Sequence, residues 1–121
     1  MTLSQIKNEI MFQTNNDADD LGDFMPYLLD YINEGYDKLS YAWTGEHPEE
    51  LLDADTDVPI LPEWTHRALA DWATWLVYRN GNPQKQNRGY AFRQAFEDVL
   101  GKIVAEGGRE GKVTNFFNIP R

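Results

Sequence analysis

Residues 61–85 read LPEWTHRALADWATWLVYRNGNPQK, and the middle of this stretch is apolar on more than one side at helical spacing. One stripe carries mostly large side chains and a second carries small ones, where another helix can approach closely. Pro62 suits the first turn of such a helix, because its missing N–H would have no intrahelical partner there. The stretch therefore predicts a central helix of a bundle. Its large stripe is Trp64, Ala68, Trp72, Trp75 and Leu76, and its small stripe is Ala70, Ala73 and Val77.

The end of the same stretch predicts a turn. Asn80 and Gly81 are residue types that end a helix in a left-handed conformation, Asn82 can cap the next helix, and Pro83 suits its first position. Phosphate-binding loops place glycines at fixed offsets, usually after a strand, and NGNPQKQNRG matches neither common spacing. We therefore interpret this segment as a corner between two helices.

Three further helices are predicted on either side of the central one. Thr2 and Gln5 have the capping-box spacing, and the first helix should run to about Gln13. Asp23 can cap the second helix, and the last helix should end at the Gly107-Gly108 pair. The apolar face of the second helix contains Phe24, Leu28, Tyr31, Ile32, Leu39 and Trp43, with Asp30, Asn33 and Asp37 opposite; that of the last contains Phe92, Phe96, Val99, Leu100 and Ile103.

These patterns predict an all-α fold, a small bundle of about four helices. A long acidic loop, residues 44–62, joins helices two and three; it contains three prolines and shows no apolar period. The bundle domain is predicted to span residues 1–107, followed by an extended C-terminal tail, residues 108–121. The tail is expected either to fold back or to dock on a partner through its apolar side chains, Val113, Phe116, Phe117 and Ile119.

Composition limits the function classes. The chain has 121 residues, no cysteine and a net charge of −9, so it has no disulfide or thiolate nucleophile and repels free nucleic acid. No apolar run approaches the roughly 20 residues of a bilayer span, and the N-terminus lacks signal-peptide features, so a cytosolic origin is expected. Residues 1–66 hold 15 acids and 2 bases, whereas residues 67–121 hold 5 acids and 9 bases. This asymmetry suits head-to-tail contact between copies, or neutralisation within one fold.

The predicted corner carries a basic surface. No acidic residue occurs between Asp71 and Glu97, so the basic side chains around the turn have no nearby counter-charge in sequence. An acidic protein partner, such as the N-terminal half of a neighbouring copy, is the expected complement. We predict a subunit interface at this basic surface, formed by Arg79, Lys85, Arg88, Tyr90 and Arg93.

Candidate metal and catalytic residues are weak. Asp53, Asp55 and Asp57 resemble the start of a calcium loop, but the sixth and twelfth positions are Val58 and Trp64 instead of glycine and glutamate. Glu46 and Glu49 have an ExxE spacing interrupted by Pro48, which disfavours the helix needed to align them. His47 and His66 are interpreted as surface histidines, because no triad spacing accompanies them. No catalytic group, metal or cofactor is predicted.

LLDYINEGYDKL, residues 28–39, resembles the second-helix signature of the head-to-tail connector (adaptor) proteins of tailed bacteriophages, in which a motif close to YINEA…L follows an acidic entry to the helix. The order of a short helix, this helix, a long loop, a proline-started helix rich in alanine and aromatics, and a last helix is similar to that family's layout. The similarity covers about residues 2–106, and the acidic loop and the tail match no pattern of the family.

The resemblance implies a virion protein of the phage neck, made in the bacterial host cytoplasm. It implies a ring below the portal that extends the DNA channel and presents a docking surface to the next neck or tail protein. Its partners would be other copies of itself, the portal protein and that next protein. Asp53, Asp55 and Asp57 are candidate channel-facing acids, which would let DNA slide through without specific binding.

Two other function classes stay open. One is a small all-helical hydrolase that uses Mg²⁺ held by carboxylates of the acidic loop, namely Glu46, Glu49, Asp53 and Asp55. The other is an acidic DNA mimic that blocks a host nucleic-acid-binding protein through a cluster of Asp17, Asp19, Asp20 and Asp23.

Overall fold

The structure, a computed structural model, describes residues 1–14 and 24–110. Within these ranges the chain forms four α-helices and no strand, which confirms the predicted all-α fold. The helices are α1 (Leu3–Gln13), α2 (Leu28–Thr44), α3 (His66–Arg79) and α4 (Pro83–Glu110). Short 3₁₀ turns, Met25–Tyr27 and Glu63–Thr65, lead into α2 and α3.

Helix α3 is the centre of the bundle, as its sequence predicts. It packs against α1, α2 and α4, and its small-residue stripe of Ala70, Ala73 and Val77 is buried. Two residues of its predicted large stripe are less buried than expected. Trp64 is 42% exposed because it lies in the 3₁₀ turn before α3, outside the register of the helix, and Trp72 is half-buried at the edge of the core.

Helix α1 begins at the predicted capping box. The Thr2 hydroxyl accepts from the Gln5 backbone N–H at 3.2 Å, and the Gln5 side chain accepts from the Thr2 N–H at 2.8 Å. The acidic loop accepts two further N–H groups of the first turn, from Leu3 to the Asp57 carbonyl and from Ser4 to the Asp55 carbonyl. These contacts satisfy backbone donors that a helix start leaves without intrahelical partners. They join the N-terminus to the loop that precedes α3.

Of the predicted apolar stripe of α2, Leu28, Ile32 and Leu39 are buried, whereas Phe24, Tyr31 and Trp43 are half-buried. Helix α2 also buries two polar residues, Asn33 and Ser40. Asn33, expected on the solvent face, is 9% exposed. Its side chain both donates to the Leu52 carbonyl and accepts from the Leu52 N–H, each at 2.9 Å. The solvent-face prediction for Asn33 is therefore wrong, because the acidic loop folds back over that side of α2. The predicted cap at Asp23 lies outside the described residues.

The corner between α3 and α4 is built largely as expected. The Asn82 side chain accepts from the Lys85 N–H at 3.0 Å, and Pro83 is the first residue of α4. The predicted left-handed ending is wrong, since Asn80 has φ −89° and ψ 2°. Helix α4 also continues through Gly107-Gly108 to Glu110, past its predicted end. Glycine lowers helix stability by about 1 kcal/mol relative to alanine, which weakens a helix without ending it.

Two glycines of α4 test how closely α3 and α4 approach. A Cβ at Gly89 would lie 2.9 Å from the Tyr78 Cβ and 2.8 Å from the Trp75 ring, whereas one at Gly101 would meet nothing within 4 Å. We expect Gly101→Ala to raise the free energy of unfolding by about 0.5–1 kcal/mol through helix propensity. Gly89→Ala should lower it by about 1–2 kcal/mol, because Tyr78 and Trp75 must shift. Urea unfolding measures both, and equal effects would contradict the close crossing.

Candidate interface surfaces

The structure brings the predicted basic surface together at one end of the bundle. Arg79 ends α3, while Lys85, Arg88, Tyr90 and Arg93 lie in the first part of α4. The Gln86 side chain donates to the Arg79 carbonyl at 3.2 Å and so fastens the two helices across the corner. These residues therefore lie near the same corner, although Arg88 and Tyr90, two positions apart, project from different sides of α4.

The members of the basic surface differ in how freely they can meet a partner. Arg93 pairs with Glu97 at 3.0 Å and lies over the Trp75 ring at 5.5 Å. Tyr90 stacks on the same ring, with centroids 5.2 Å apart, and stays 50% exposed. Among the described residues, Arg79 and Arg88 are exposed and make no ion pair. These two guanidinium groups are the cations best placed to bind another molecule.

The acidic loop gives its three candidate channel-facing residues different surroundings. The Asp57 carboxylate accepts the backbone N–H groups of Asp53 and Ala54, each at 2.9 Å, and these bonds lower the pKa of Asp57. Asp55 pairs with Lys7 at 3.2 Å, and Asp53 is exposed. Asp55 and Asp57 therefore also stabilise the loop and its contact with α1. Among the described residues, no group of three or more His, Asp or Glu side chains could hold a metal ion.

A pocket of about 420 Å³ opens between the second half of α2 and the acidic loop. One wall is a stripe of hydroxyl side chains at helical spacing, Tyr36, Ser40 and Thr44. The opposite wall belongs to the loop and carries carboxylates at its rim. The loop residues that line the pocket are Glu46, His47, Pro48, Glu49, Glu50 and Ile60.

Several polar groups of this pocket have no partner within the described part of the chain. Ser40 is 6% exposed, and no hydrogen bond involves its hydroxyl. Tyr36 is 2% exposed and accepts from the Ile60 N–H at 3.0 Å, which leaves its own hydroxyl proton without an acceptor. The exposed carboxylates of Glu49 and Glu50 have no cation beside them. The Ser40 and Tyr36 hydroxyls and the two carboxylates are therefore available as hydrogen-bonding groups for a ligand in the pocket.

Sequence reasoning missed the pocket. The hydroxyl residues Tyr36, Ser40 and Thr44 recur every four positions on one stripe of α2, and this spacing is visible in the sequence. The wall formed by the acidic loop could not be predicted, because a proline-containing segment without periodicity does not show where it packs against α2.

The two histidines have opposite environments. His47 is exposed, as predicted; it pairs with Asp37 at 2.6 Å and stacks on Tyr41. His66 was also expected at the surface, and that expectation is wrong because the residue is 1% exposed. Its Nε2 lies 2.8 Å from the Leu61 carbonyl, and its Nδ1 lies 2.8 Å from the Met1 nitrogen and 3.2 Å from a Glu63 oxygen. His66 therefore joins the end of the acidic loop to the start of α3.

The positive and negative surfaces lie at opposite ends of the central helix. The acidic loop enters α3 at His66, and the basic surface begins at Arg79, where α3 ends. A helix of 14 residues is about 21 Å long, which sets the separation between these ends along the axis of α3. Within the part of the chain that the structure describes, the acidic loop and the basic surface thus lie at opposite ends of α3.

The predicted docking side chains of the tail, Val113, Phe116, Phe117 and Ile119, lie outside the described residues, as do Asp17, Asp19, Asp20 and Asp23. None of the described helices has the length and apolar character needed to cross a bilayer. Comparison of the chain with protein-family models, with curated proteins and with solved structures finds no match.

Proposed function

We propose that this chain is a structural protein of a tailed-phage particle, a head-to-tail connector that assembles as a ring below the portal and extends the DNA channel. The observation that carries the proposal is that, among the described residues, the acidic loop and the basic surface lie at opposite ends of the central helix. A ring needs a heterologous contact, in which one surface of each copy meets a different surface of the next. The basic surface and the acidic loop are complementary surfaces of this kind.

The segment that resembles the connector signature has a structural task that supports this proposal. Asn33 binds the Leu52 backbone of the acidic loop, and Tyr36 binds the Ile60 N–H. Between them, Gly35 lets the Trp72 side chain of α3 approach, since a Cβ there would lie 3.2 Å from Cδ1 of the indole. The motif therefore holds both the central helix and the loop that would form half of the proposed interface.

In the proposed ring, the basic surface of one copy meets the acidic loop of the next. Asp53, Asp55 and Asp57 would then contribute negative charge near the channel, where like charge lets the DNA backbone pass without binding. The portal protein and the next neck or tail protein are the proposed partners, with the tail residues around Phe116 and Phe117 as anchors. The proposed role is in the virion and requires no catalytic group or cofactor.

Reversal of one charge on the basic surface tests the ring contact. We expect Arg88→Glu to abolish rings in negative-stain images and to reduce the mass measured by light scattering, because the new carboxylate would face an acidic loop. Lys102→Glu makes the same charge change farther along α4, beside Trp64, and should leave assembly intact. Wild-type assembly should weaken in 1 M salt, where screening acts within about 3 Å.

Two results would contradict the proposal. Rings of unchanged size and stability in Arg88→Glu would show that the basic surface is not the contact. A gene neighbourhood without portal, capsid or tail genes would contradict the phage assignment, whatever the oligomeric state.

A further inference from the structure

The pocket between α2 and the acidic loop has the chemistry of a site for a cation with several hydrogen-bond donors. Among the described residues, Glu49 and Glu50 at its rim have no counter-ion, and the hydroxyl of Ser40, a residue that is 6% exposed and lines the inner wall, makes no hydrogen bond. A hydroxyl oxygen and carboxylate oxygens can all accept hydrogen bonds. About 420 Å³ is far more than the roughly 30 Å³ share of one water molecule, so the pocket has room for a side chain.

Among protein cations, a guanidinium fits this arrangement better than an ammonium. It has five N–H donors in a planar fork, which can reach hydroxyl and carboxylate acceptors on two walls at once. Its aliphatic stem needs an apolar surface at the entrance. Ile60, which is 86% exposed and lines the pocket, provides that surface.

We propose that this pocket binds the side chain of Arg88 from a second copy of the chain, with its guanidinium between Ser40 and the carboxylates of Glu49 and Glu50. Charge complementarity supports an arginine of the basic surface as the occupant, and we assign Arg88, which is exposed on α4 and has no ion pair among the described residues. The exposed Leu51 and Ile60 on the acidic loop offer apolar contact to the aliphatic stem of the arginine. The assignment of Arg88 from a second copy rests on the proposed self-association, whereas the binding of a guanidinium group in the pocket does not.

The pocket itself is tested on the full chain by nuclear magnetic resonance. N-acetyl-L-arginine N-methylamide should shift the backbone amides of Ser40, His47 and Ile60 in a saturable way. The lysine analogue at equal ionic strength should bind several-fold more weakly. Glu49→Gln with Glu50→Gln should remove the saturable shift while the rest of the spectrum stays unchanged. Absence of shifts in the wild-type chain would overturn the site, and equal shifts by both analogues would overturn guanidinium selectivity.

Disulfide cross-linking tests whether Arg88 of a second copy occupies the pocket. The method suits this chain because it has no cysteine of its own. A mixture of Leu51→Cys and Asn87→Cys chains should form a disulfide-linked heterodimer, since these exposed positions flank Glu50 and Arg88. Adding Arg88→Gln to the second chain should reduce its yield at least severalfold. Leu51→Cys mixed with Gly101→Cys is the matched control and should give little product.

The outcomes separate this inference from the proposed ring. Rings without the Leu51–Asn87 cross-link would overturn Arg88 in the pocket and leave the connector proposal intact. Cross-linking that depends on Arg88, in a chain that forms open filaments or dimers, would support the pocket contact and contradict the closed ring. A full yield with Arg88→Gln would show that another group occupies the pocket.

Discussion

Phe96→Ala should lower the free energy of unfolding by about 3–5 kcal/mol, as expected for loss of a fully buried phenyl group. Phe96 is 1% exposed, and its ring lies against Trp72 with centroids 4.7 Å apart. The aromatic pair joins α4 to the central helix. Alanine would remove both the buried apolar area and this ring contact, and would leave a cavity that the fixed helices cannot fill. Urea unfolding followed by far-ultraviolet circular dichroism measures the loss.

Phe12→Ala provides the matched control, because it removes the same phenyl group from a helix surface. Phe12 is 72% exposed on α1, so its removal should change the free energy of unfolding by no more than about 0.5 kcal/mol. Comparable losses in the two variants would contradict the assignment of Phe96 to the core. They would also contradict the orientation of α4 that its apolar stripe predicts.

The apolar pattern was sufficient to predict the helices and most of the core. Leu3, Ile6 and Ile10 recur at helical spacing and are all fully buried, and Phe96 and Ile103 do the same on α4. Burial of an amphipathic face is the main source of helix stability in a protein, so this signal is strong. The corner at Asn82 and Pro83 was predictable for a different reason, because capping depends on a few adjacent residues.

Polar residues that are buried by distant segments could not be placed from sequence. Asn33 and His66 have polar side chains on helices, and helical periodicity assigns such residues to solvent. Their actual partners, Leu52 and Leu61, are backbone groups of an aperiodic loop. Only the path of that loop shows that the two residues are buried.

The basic surface and the pocket also differ in how far the sequence predicts them. The position of the basic residues around the corner was predictable, because they flank one turn, whereas their role as a subunit interface stays a prediction. The pocket was not predictable, since Tyr36 and Ser40 meet Glu49 and Glu50 only after the acidic loop returns to α2. A contact between segments that are distant in sequence produces no periodic pattern in either segment. The charge asymmetry of the sequence does not indicate this cavity.

Asp71→Asn should raise the free energy of unfolding at neutral pH by as much as about 3 kcal/mol, with the gain disappearing in acid. Asp71 lies on α3 and is 8% exposed, and burial raises its pKa from 3.8 to about 6. The hydrogen bond from Gln13, at 2.8 Å, and the charge of Arg67 act in the opposite direction, while Glu9 adds to the rise. Burial is the largest of these influences, so the ionised carboxylate destabilises the fold.

The sign of the pH dependence follows from proton binding. Between pH 3.8 and about pH 6 the folded chain holds a proton on Asp71 that the unfolded chain has released. The stability contributed by this group is therefore fully present below the unfolded pKa and is lost as the pH rises through the folded pKa. A shift of about two pKa units corresponds to roughly 3 kcal/mol, which sets the upper limit of the effect.

Asp98→Asn is the matched control for this titration. Asp98 also accepts a hydrogen bond from a glutamine amide, Gln94 at 2.9 Å, but it does so on the exposed surface of α4. We expect its substitution to stay within about 0.5 kcal/mol at every pH, since water already solvates the carboxylate. Denaturant unfolding of the wild type and both variants between about pH 4 and pH 8 gives the comparison. A parallel pH dependence in the wild type and Asp71→Asn would show that another group titrates, because only removal of the responsible carboxylate can abolish the slope.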